Sequence, residues 1–270
     1  MKQNLGESMK STSVKPRTLV ANHRFWLIFF GLMFFFAASV VFYIWRALKP
    51  IPPTPQALSA LSSDTAVSVE AKDWGYLMRP TGDSAQLGLA FYPGARVDYR
   101  AYAPVLRQIA AAGYPVALMW VPFNLAITDQ DRAKVVLEGY PQLRWVLAGH
   151  SMGGVAASNF AFSDDSAVRQ SVVGLIFWAS YPQHDLSGFT LPTLALFGSK
   201  DGLIPAEKRA LEVSRMPKGT RVEVLEGLNH AAFGAYGAQA GDQPADLPQA
   251  EGWERIARAS IEFLQQVDGR

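Results

Sequence analysis

Several short stretches of this 270-residue chain are apolar at every position, and they constrain its fold more than any other feature. The runs LGLAFY at residues 87–92 and LIFWA at residues 175–179 are long enough for a strand but have no polar face. A strand without a polar face has to be covered on both sides, as the strands of a parallel sheet are. These runs therefore predict a buried, mostly parallel sheet.

Helix-length amphipathic stretches alternate with strand-length runs over the C-terminal three quarters of the chain. We predict strands at residues 74–78, 87–92, 115–120, 144–148, 173–179, 193–197 and 221–225, and helices at residues 99–112, 129–139, 152–161, 206–214 and 252–267. This alternation indicates right-handed crossovers and a three-layer α/β sandwich. In such folds, ligands bind at the carboxyl ends of the strands, so functional residues are expected in those loops.

An uncharged run of 21 residues, from 25 to 45, precedes this region. As a helix it would be about 31 Å long, close to the roughly 30 Å hydrocarbon core of a bilayer. Trp26 lies near one end and Tyr43 and Trp45 near the other, where aromatic rings favour the membrane interfaces. A buried helix of a soluble core would carry a fuller polar face than Ser39 and Tyr43 supply. We therefore predict one transmembrane helix over residues 25–45, in contact with the lipid bilayer.

The charges that flank the apolar run predict its orientation. Residues 1–24 hold five Lys or Arg, whereas only Arg46 and Lys49 follow the run closely. The positive-inside rule places this basic tail in the cytoplasm and the remainder of the chain outside it. A cleaved signal peptide is the competing interpretation, but its apolar region usually spans about 7–15 residues and ends beside a small-residue cleavage site. Here the nearest such sites lie at residues 57–62, which favours an uncleaved single-pass anchor.

Residues 46–63 contain prolines at positions 50, 52, 53 and 55. This composition predicts a stiff, extended Pro-rich linker that holds the next domain off the bilayer. The domain itself is predicted to span residues 64–270, a length that suits one compact unit.

Composition excludes several kinds of site. The chain has no cysteine, so disulfides, thiolate metal sites and a cysteine nucleophile are all ruled out. Its net charge of +2 averages a basic N-terminal part against residues 51–270, which hold 18 Lys or Arg and 22 Asp or Glu. No basic stripe interleaved with aromatic residues occurs there, so we predict no nucleic acid partner. The common metal- and nucleotide-binding motifs are also missing from the sequence, and we predict no metal site and no cofactor.

The motif GHSMGG at residues 149–154 carries the strongest functional signal. It follows the predicted strand 144–148 and opens the predicted helix 152–161, which is the context in which G-x-S-x-G forms a nucleophile elbow. Such a turn lifts the hydroxyl of Ser151 clear of the sheet, and glycines flank it because side chains there would collide with neighbouring elements. The helix N-terminus beneath supplies backbone N–H groups and the positive end of a dipole.

An activated serine needs a base and a group that orients the base. Asp201 follows the predicted strand 193–197 within GSKDG, and His230 follows the predicted strand 221–225 within LNH. The order Ser151, Asp201, His230 is the order of a serine hydrolase on this kind of sheet. The alternatives are a turn aspartate, since Asp-Gly is common in turns, and a surface-loop histidine.

The other histidines are weaker candidates for the base. His23 precedes the apolar run, and His150 is adjacent to Ser151, so its side chain is expected to pack or to line the site. His184, beside Asp185, is the main rival of His230, but it precedes the strand before Asp201 and would require a rearranged chain order.

Hydrolysis through a tetrahedral intermediate also needs N–H donors for its oxyanion. One is predicted to be the backbone N–H of Met152, directly after the serine. The other is expected in the loop after the strand 87–92, where we predict the N–H of Ala95, with Gly94 allowing close approach.

The segments FYPGARVDYRAYAPVLRQIAAAGYPVALMWVPFNLA, LAGHSMGG, FGSKDGLIP and LNHAAFGAYG together resemble the alpha/beta hydrolase superfamily. Within it, the chain is most similar to small, lidless members related to the dienelactone hydrolases. The resemblance covers roughly residues 74–266 and implies a Ser-His-Asp hydrolase with Ser151, His230 and Asp201 as the triad. It implies no particular substrate, and the cysteine nucleophile of the dienelactone hydrolases themselves is absent here.

The sequence thus predicts a membrane-anchored serine hydrolase that acts on a small-molecule acyl substrate, most simply a carboxylic ester, outside the cytoplasm. A thioester or peptide substrate would use the same nucleophile. The alternative from another class is a catalytically idle, hydrolase-like binding domain tethered at the membrane.

Overall fold

The computed structural model describes residues 23–269, and the chain divides into two compact units between Ala47 and Leu48. The predicted basic tail, residues 1–24, lies almost wholly outside the described residues. The first unit contains all but the last residue of helix α1 (His23–Leu48), which covers the whole predicted apolar run. The large apolar side chains that the structure describes on this helix are exposed, and the helix is long and apolar enough to cross a membrane. Helix α1 is therefore a candidate membrane span.

The second unit is built on one eight-stranded sheet. Its strands are β1 (Val67–Lys72), β2 (Gly75–Pro80), β3 (Leu87–Tyr92), β4 (Val116–Met119), β5 (Arg144–His150), β6 (Val172–Trp178), β7 (Thr193–Gly198) and β8 (Arg221–Leu225). Their spatial order is β1-β2-β4-β3-β5-β6-β7-β8. The pairs β1–β2 and β2–β4 are antiparallel and every other pair is parallel. Strands β3, β4 and β7 are buried at every residue, which explains their continuous apolar sequences.

Helices cover both faces of this sheet. They are α2 (Pro55–Ser59), α3 (Ala103–Ala111), α4 (Arg132–Gly139), α5 (Met152–Ala161), α6 (Ser166–Ser171), α7 (Ala206–Val213) and α8 (Gln249–Asp268). Buried residues of α3 and α8 belong to the core on one face, and those of α4, α5 and α6 belong to the core on the other. The predicted three-layer, mostly parallel α/β sandwich is confirmed.

Residues 51–62 differ from the predicted linker, and we call them the strap. The sequence predicts an extended spacer here, but the strap packs on the second unit and contains helix α2. Proline is favourable at the first turn of a helix, where its missing N–H is not needed. Thr54 caps this helix by accepting a hydrogen bond from Ala57, and Ala57 is fully buried. The prediction of an extended linker is therefore wrong for this segment, because packing and capping outweigh proline content.

The strap contacts two loops at the carboxyl edge of the sheet. Ile51 donates its backbone N–H to the carbonyl oxygen of Arg96 at 2.7 Å and accepts from the N–H of Asp98 at 3.1 Å. Thr54 donates its backbone N–H to the carbonyl oxygen of Ala235 at 2.8 Å. The segment that follows α1 in sequence is thus hydrogen-bonded both to the loop after β3 and to the loop after β8.

Candidate active site

Ser151 lies at the end of β5, where the chain turns sharply into α5. Its backbone has φ 51° and ψ −123°, a conformation that costs a residue with a side chain on the order of 1–3 kcal/mol. The glycine at position 149 makes the turn possible, because a Cβ there would lie 2.2 Å from the carbonyl carbon of Gly153. The turn leaves Ser151 partly exposed at the carboxyl end of its strand.

Gly153 is equally constrained. A Cβ at this position would lie 2.2 Å from the carbonyl oxygen of Tyr92 and 2.6 Å from that of Pro93. We expect Gly153→Ala to destabilise the fold by about 2 kcal/mol, since overpacking typically costs about 1–3 kcal/mol, and to lower Tm by roughly 4–8 °C. Gly188→Ala is the matched control, because nothing lies within 4 Å of its added Cβ. Equal Tm values for the two variants would contradict the requirement for glycine at 153.

Backbone strain is concentrated around this turn. In the described part of the chain, the non-glycine residues with positive φ are Arg96, Phe123, Asn124, Ser151 and Ala179. They follow the carboxyl ends of β3, β4, β5 and β6, which are four adjacent strands. Strained residues of this kind cluster at active sites and ligand clamps. The strain therefore marks the same edge of the sheet that the sequence motifs indicate.

Asp201 and His230 lie in contact at this edge. Asp201 Oδ2 is 2.8 Å from His230 Nδ1, and both side chains are buried. The other carboxylate oxygen, Oδ1, accepts backbone N–H bonds from Leu203 at 2.9 Å and Ile204 at 2.8 Å. A carboxylate held in this way accepts the Nδ1 proton and leaves Nε2 unprotonated in the neutral ring.

The Nε2 atom of His230 is buried and has no hydrogen-bond partner among the residues the structure describes. Ser151 and His230 are therefore not hydrogen-bonded to each other in this structure. The His230 ring centroid is nevertheless 4.6 Å from that of His150, the residue next to Ser151. Hydrogen bonds between catalytic groups are often long before substrate binds. Nε2 is therefore the ring nitrogen of His230 that is left to accept a proton.

The two predicted oxyanion donors flank the same turn. Met152 is the first residue of α5, and Ala95 lies in the turn after β3 that we call the oxyanion loop, residues 93–96. The carbonyl oxygens that bracket Gly153 show that this loop lies against the start of α5. No hydrogen bond within residues 23–269 engages the backbone N–H of Ala95 or Met152. Both N–H groups are thus available to a ligand.

Residues 88–254, more than half of the chain, match the model of the alpha/beta hydrolase family. The chain belongs to the alpha/beta hydrolase family. A structure described as a predicted CIB-like hydrolase from Thermoplasma acidophilum is similar, with a TM-score of 0.51 and 19% identity over 75% of this chain and 100% of its own. TT1662 from Thermus thermophilus has a TM-score of 0.53 and 18% identity over 76% of this chain and 99% of its own. A search among curated proteins gave no match.

Asp242 is a residue of this alpha/beta hydrolase site that the sequence motifs do not predict. Its Oδ1 atom accepts the backbone N–H groups of Gly202 at 3.0 Å and His230 at 3.2 Å, and its Oδ2 accepts that of Ala231 at 2.8 Å. One side chain therefore ties the loop of Asp201 to the loop of His230. Sequence carries no signal for this role, because the partners are backbone groups 11 to 40 residues away.

His184, the predicted rival base, lies elsewhere in the hydrolase domain. It is exposed and lines a cleft of about 650 Å³ beside α5. Both apolar and polar side chains line this cleft, among them Ile127, Gln130, Asn159 and Phe189. The described residues contain no group of three or more His, Cys, Asp or Glu that could hold a metal ion.

His150 is buried in the hydrolase core directly behind the Asp201–His230 pair. Its ring faces Tyr102, His230, Phe233 and Tyr236. Burial lowers the pKa of His150 well below its usual value of 6.5, and the neighbouring His230 lowers it further. Burial raises the pKa of both tyrosines, so both stay protonated. The expectation that His150 packs rather than acts as the base agrees with this environment.

The lowered pKa predicts a pH-dependent stability for this hydrolase. As the pH falls below about 6.5, the unfolded chain takes up a proton at His150 whereas the folded chain does not. Proton uptake favours the unfolded state, so the free energy of unfolding should decrease by up to about 1.4 kcal/mol per pH unit from this residue. Urea unfolding at pH 7 and pH 5.5 measures the slope. His150→Gln should flatten it, and His184→Gln, at an exposed site, should not; equal slopes in both variants would contradict the assignment.

Proposed function

We propose that this alpha/beta hydrolase is a membrane-anchored serine hydrolase that cleaves a carboxylic ester, or a related acyl bond, through a covalent acyl-enzyme. The observation that carries the proposal is the state of the His230 ring. Its Nδ1 is bonded to Asp201, and its Nε2 has no partner among the described residues. The His230 ring is also 4.6 Å, centroid to centroid, from that of His150, the residue that precedes Ser151 at the strained turn.

In the proposed reaction, the oxygen of Ser151 attacks the substrate carbonyl carbon while its proton passes to Nε2 of His230. Asp201 holds the resulting imidazolium through Nδ1. The N–H groups of Ala95 and Met152 stabilise the oxyanion. Collapse of the intermediate breaks the bond to the leaving alcohol, which takes the proton from His230. Water then attacks the acyl-enzyme by the same steps and restores the serine hydroxyl.

The site favours a substrate that enters from an open edge. Residues 179–192, which join β6 to β7, contain neither a helix nor a strand, so this connection forms no helical cap over the site.

A panel of substrates tests the proposal. The full chain, purified in detergent, is assayed with the p-nitrophenyl ester, the thioester and the anilide of the same short acyl group. Turnover of the ester with saturation kinetics, together with labelling of Ser151 by a fluorophosphonate, is the expected result. Folded protein that neither labels nor hydrolyses any of the three would overturn the proposal and favour an idle binding domain. The predicted relation to the dienelactone hydrolases within the family stays a prediction.

The membrane part of the proposal rests on α1 and on the charges that flank it. Five Lys or Arg precede the apolar run within residues 1–24, and two follow it closely. We therefore propose a cytoplasmic N-terminus and an extracytoplasmic hydrolase domain. A protease added outside intact cells should cleave the C-terminal domain. Cleavage only after lysis, with an outside marker protein digested in intact cells, would reverse the orientation.

A further inference from the structure

A continuous path of hydrogen bonds joins the oxyanion loop to the loop of His230. The backbone N–H of Gly94 is 3.0 Å from the hydroxyl oxygen of Tyr102. That hydroxyl is 2.9 Å from Nδ1 of His150, and Nε2 of His150 is 3.1 Å from the carbonyl oxygen of His230. All three contacts are buried.

The direction of each bond follows from its chemistry. A carbonyl oxygen can only accept, so Nε2 of His150 carries a proton and donates it to His230. A neutral imidazole then has an acceptor at Nδ1, which receives the hydroxyl proton of Tyr102. A backbone N–H can only donate, so Gly94 donates to the same hydroxyl oxygen. The lowered pKa of His150 and the raised pKa of Tyr102 agree with this single arrangement of protons.

The sheet by itself does not fix the distance between these loops. The oxyanion loop leaves β3 and the loop of His230 leaves β8, and four strand spacings separate the two strands. At about 4.8 Å per spacing, the loops start roughly 19 Å apart. Their relative position therefore depends on contacts made above the sheet edge. The path through Tyr102 and His150 is such a contact. His150 is the last residue of β5, which lies between β3 and β8 in the sheet.

The oxyanion loop is shaped to fit this path. A Cβ on Gly94 would lie 2.6 Å from Nδ1 of His150 and 2.8 Å from the hydroxyl oxygen of Tyr102. The glycine therefore lets the backbone next to Ala95 approach both side chains directly.

From these observations we propose that Tyr102 and His150 are a positioning pair, which holds the proposed oxyanion donor, the N–H of Ala95, at a fixed position relative to the proposed base His230. The inference rests on the proposed function, since it concerns the same reaction. The pair touches neither substrate nor the reacting atoms. It acts by keeping two groups, which must meet the same carbonyl, at a fixed separation. A misplacement of about 1 Å at such a site can lower the rate about 100-fold.

Tyr92 provides a matched control for the loss of one buried hydroxyl. Like Tyr102, it is fully buried, and its hydroxyl also receives a backbone N–H bond, from Ala133 at 3.0 Å. It donates in turn to the carbonyl oxygen of Gln130. Its side chain lies in the core on the opposite face of the sheet and has no bond to His150 or to the oxyanion loop.

The test compares Tyr102→Phe with Tyr92→Phe in the full chain, using p-nitrophenyl acetate. Both variants should lose a similar amount of Tm. Tyr102→Phe should also lower kcat between about 10- and 100-fold with KM unchanged, since positioning errors act on the chemical step, whereas Tyr92→Phe should retain the wild-type kcat. Equal kcat values in the two variants would overturn the proposal and leave a merely structural hydroxyl.

Further variants separate this inference from the proposed function and test the connection between the two side chains. If Ser151→Ala keeps wild-type activity, the proposed function fails; if it is inactive while both tyrosine variants behave alike, only the positioning pair fails. The double variant Tyr102→Phe/His150→Gln should lose no more kcat than His150→Gln alone, because the tyrosine acts through the histidine. If the fold-loss in kcat of the double variant equals the product of the losses of the two single variants, the two side chains act independently and that connection is overturned.

Discussion

Replacing Ser151 by alanine is expected to lower kcat for ester hydrolysis about a million-fold while leaving the fold intact. Without the hydroxyl no acyl-enzyme can form, and losses of about 10⁶-fold are typical for a serine nucleophile that acts with a histidine base. The fold should survive because the Ser151 side chain forms no hydrogen bond with another described residue, and alanine keeps the same strained backbone. Fluorophosphonate labelling in membrane fractions should disappear together with hydrolysis.

Ser158 supplies the control for this experiment. It lies on α5, the helix that begins directly after Ser151, is buried, and donates its hydroxyl to the carbonyl oxygen of Val155 at 2.8 Å. Ser158→Ala removes the same atom from a serine whose hydroxyl is bonded to a backbone carbonyl oxygen, and it should retain both labelling and turnover. If Ser151→Ala keeps labelling or retains activity within about tenfold of wild type, Ser151 is not the nucleophile.

Replacing Asp201 by asparagine is expected to lower kcat about 10⁴-fold with little change in Tm. The reason lies in how the carboxylate is held. Its Oδ1 accepts N–H bonds from Leu203 and Ile204, and the oxygen of an asparagine would keep that place. The amide nitrogen would then face Nδ1 of His230, where Oδ2 now accepts. Two donors cannot share this contact, so the proton of His230 would move to Nε2 and the ring would lose its basic nitrogen.

The matched substitution for this second experiment is Asp185→Asn. Asp185 also accepts a backbone N–H bond, from Ser187 at 2.9 Å, but it is exposed in the loop after β6. Steady-state kinetics should show no loss of kcat for Asp185→Asn. Asp201→Asn that retains kcat within about tenfold of wild type would mean that this carboxylate does not fix the His230 tautomer.

Much of the fold could be predicted because several central strands are buried on both faces and are therefore apolar at every position. The predicted strands 87–92 and 221–225 and the predicted helix 152–161 match the structure residue for residue. The sequence does not predict strand β1, since VSVEAK is a half-buried edge segment without a continuous apolar run. The extended conformation that the sequence predicts for the strap is wrong because proline content describes the isolated chain, whereas the conformation is decided by what the strap packs against.

The candidate site could be predicted only where the proposed chemistry requires a particular residue type at a strand end. That Asp201 and His230 would meet follows from strand ends on one sheet edge, and the structure places them 2.8 Å apart. Asp242 and Tyr102 act on backbone groups distant in sequence, and nothing in the residues around them signals it. Such supporting contacts become visible only once the loops are placed in three dimensions.

The strap changes where this protein can be cut. Severing the chain at residue 64, as its composition suggests, would delete the backbone bonds that Ile51 and Thr54 make to the loops on either side of the site. A version without α1 should instead begin at Leu48, where the compact unit starts. A protease that separates the hydrolase domain from α1 would likewise leave these bonds intact or remove them, depending on whether it cuts near residue 48 or near residue 64.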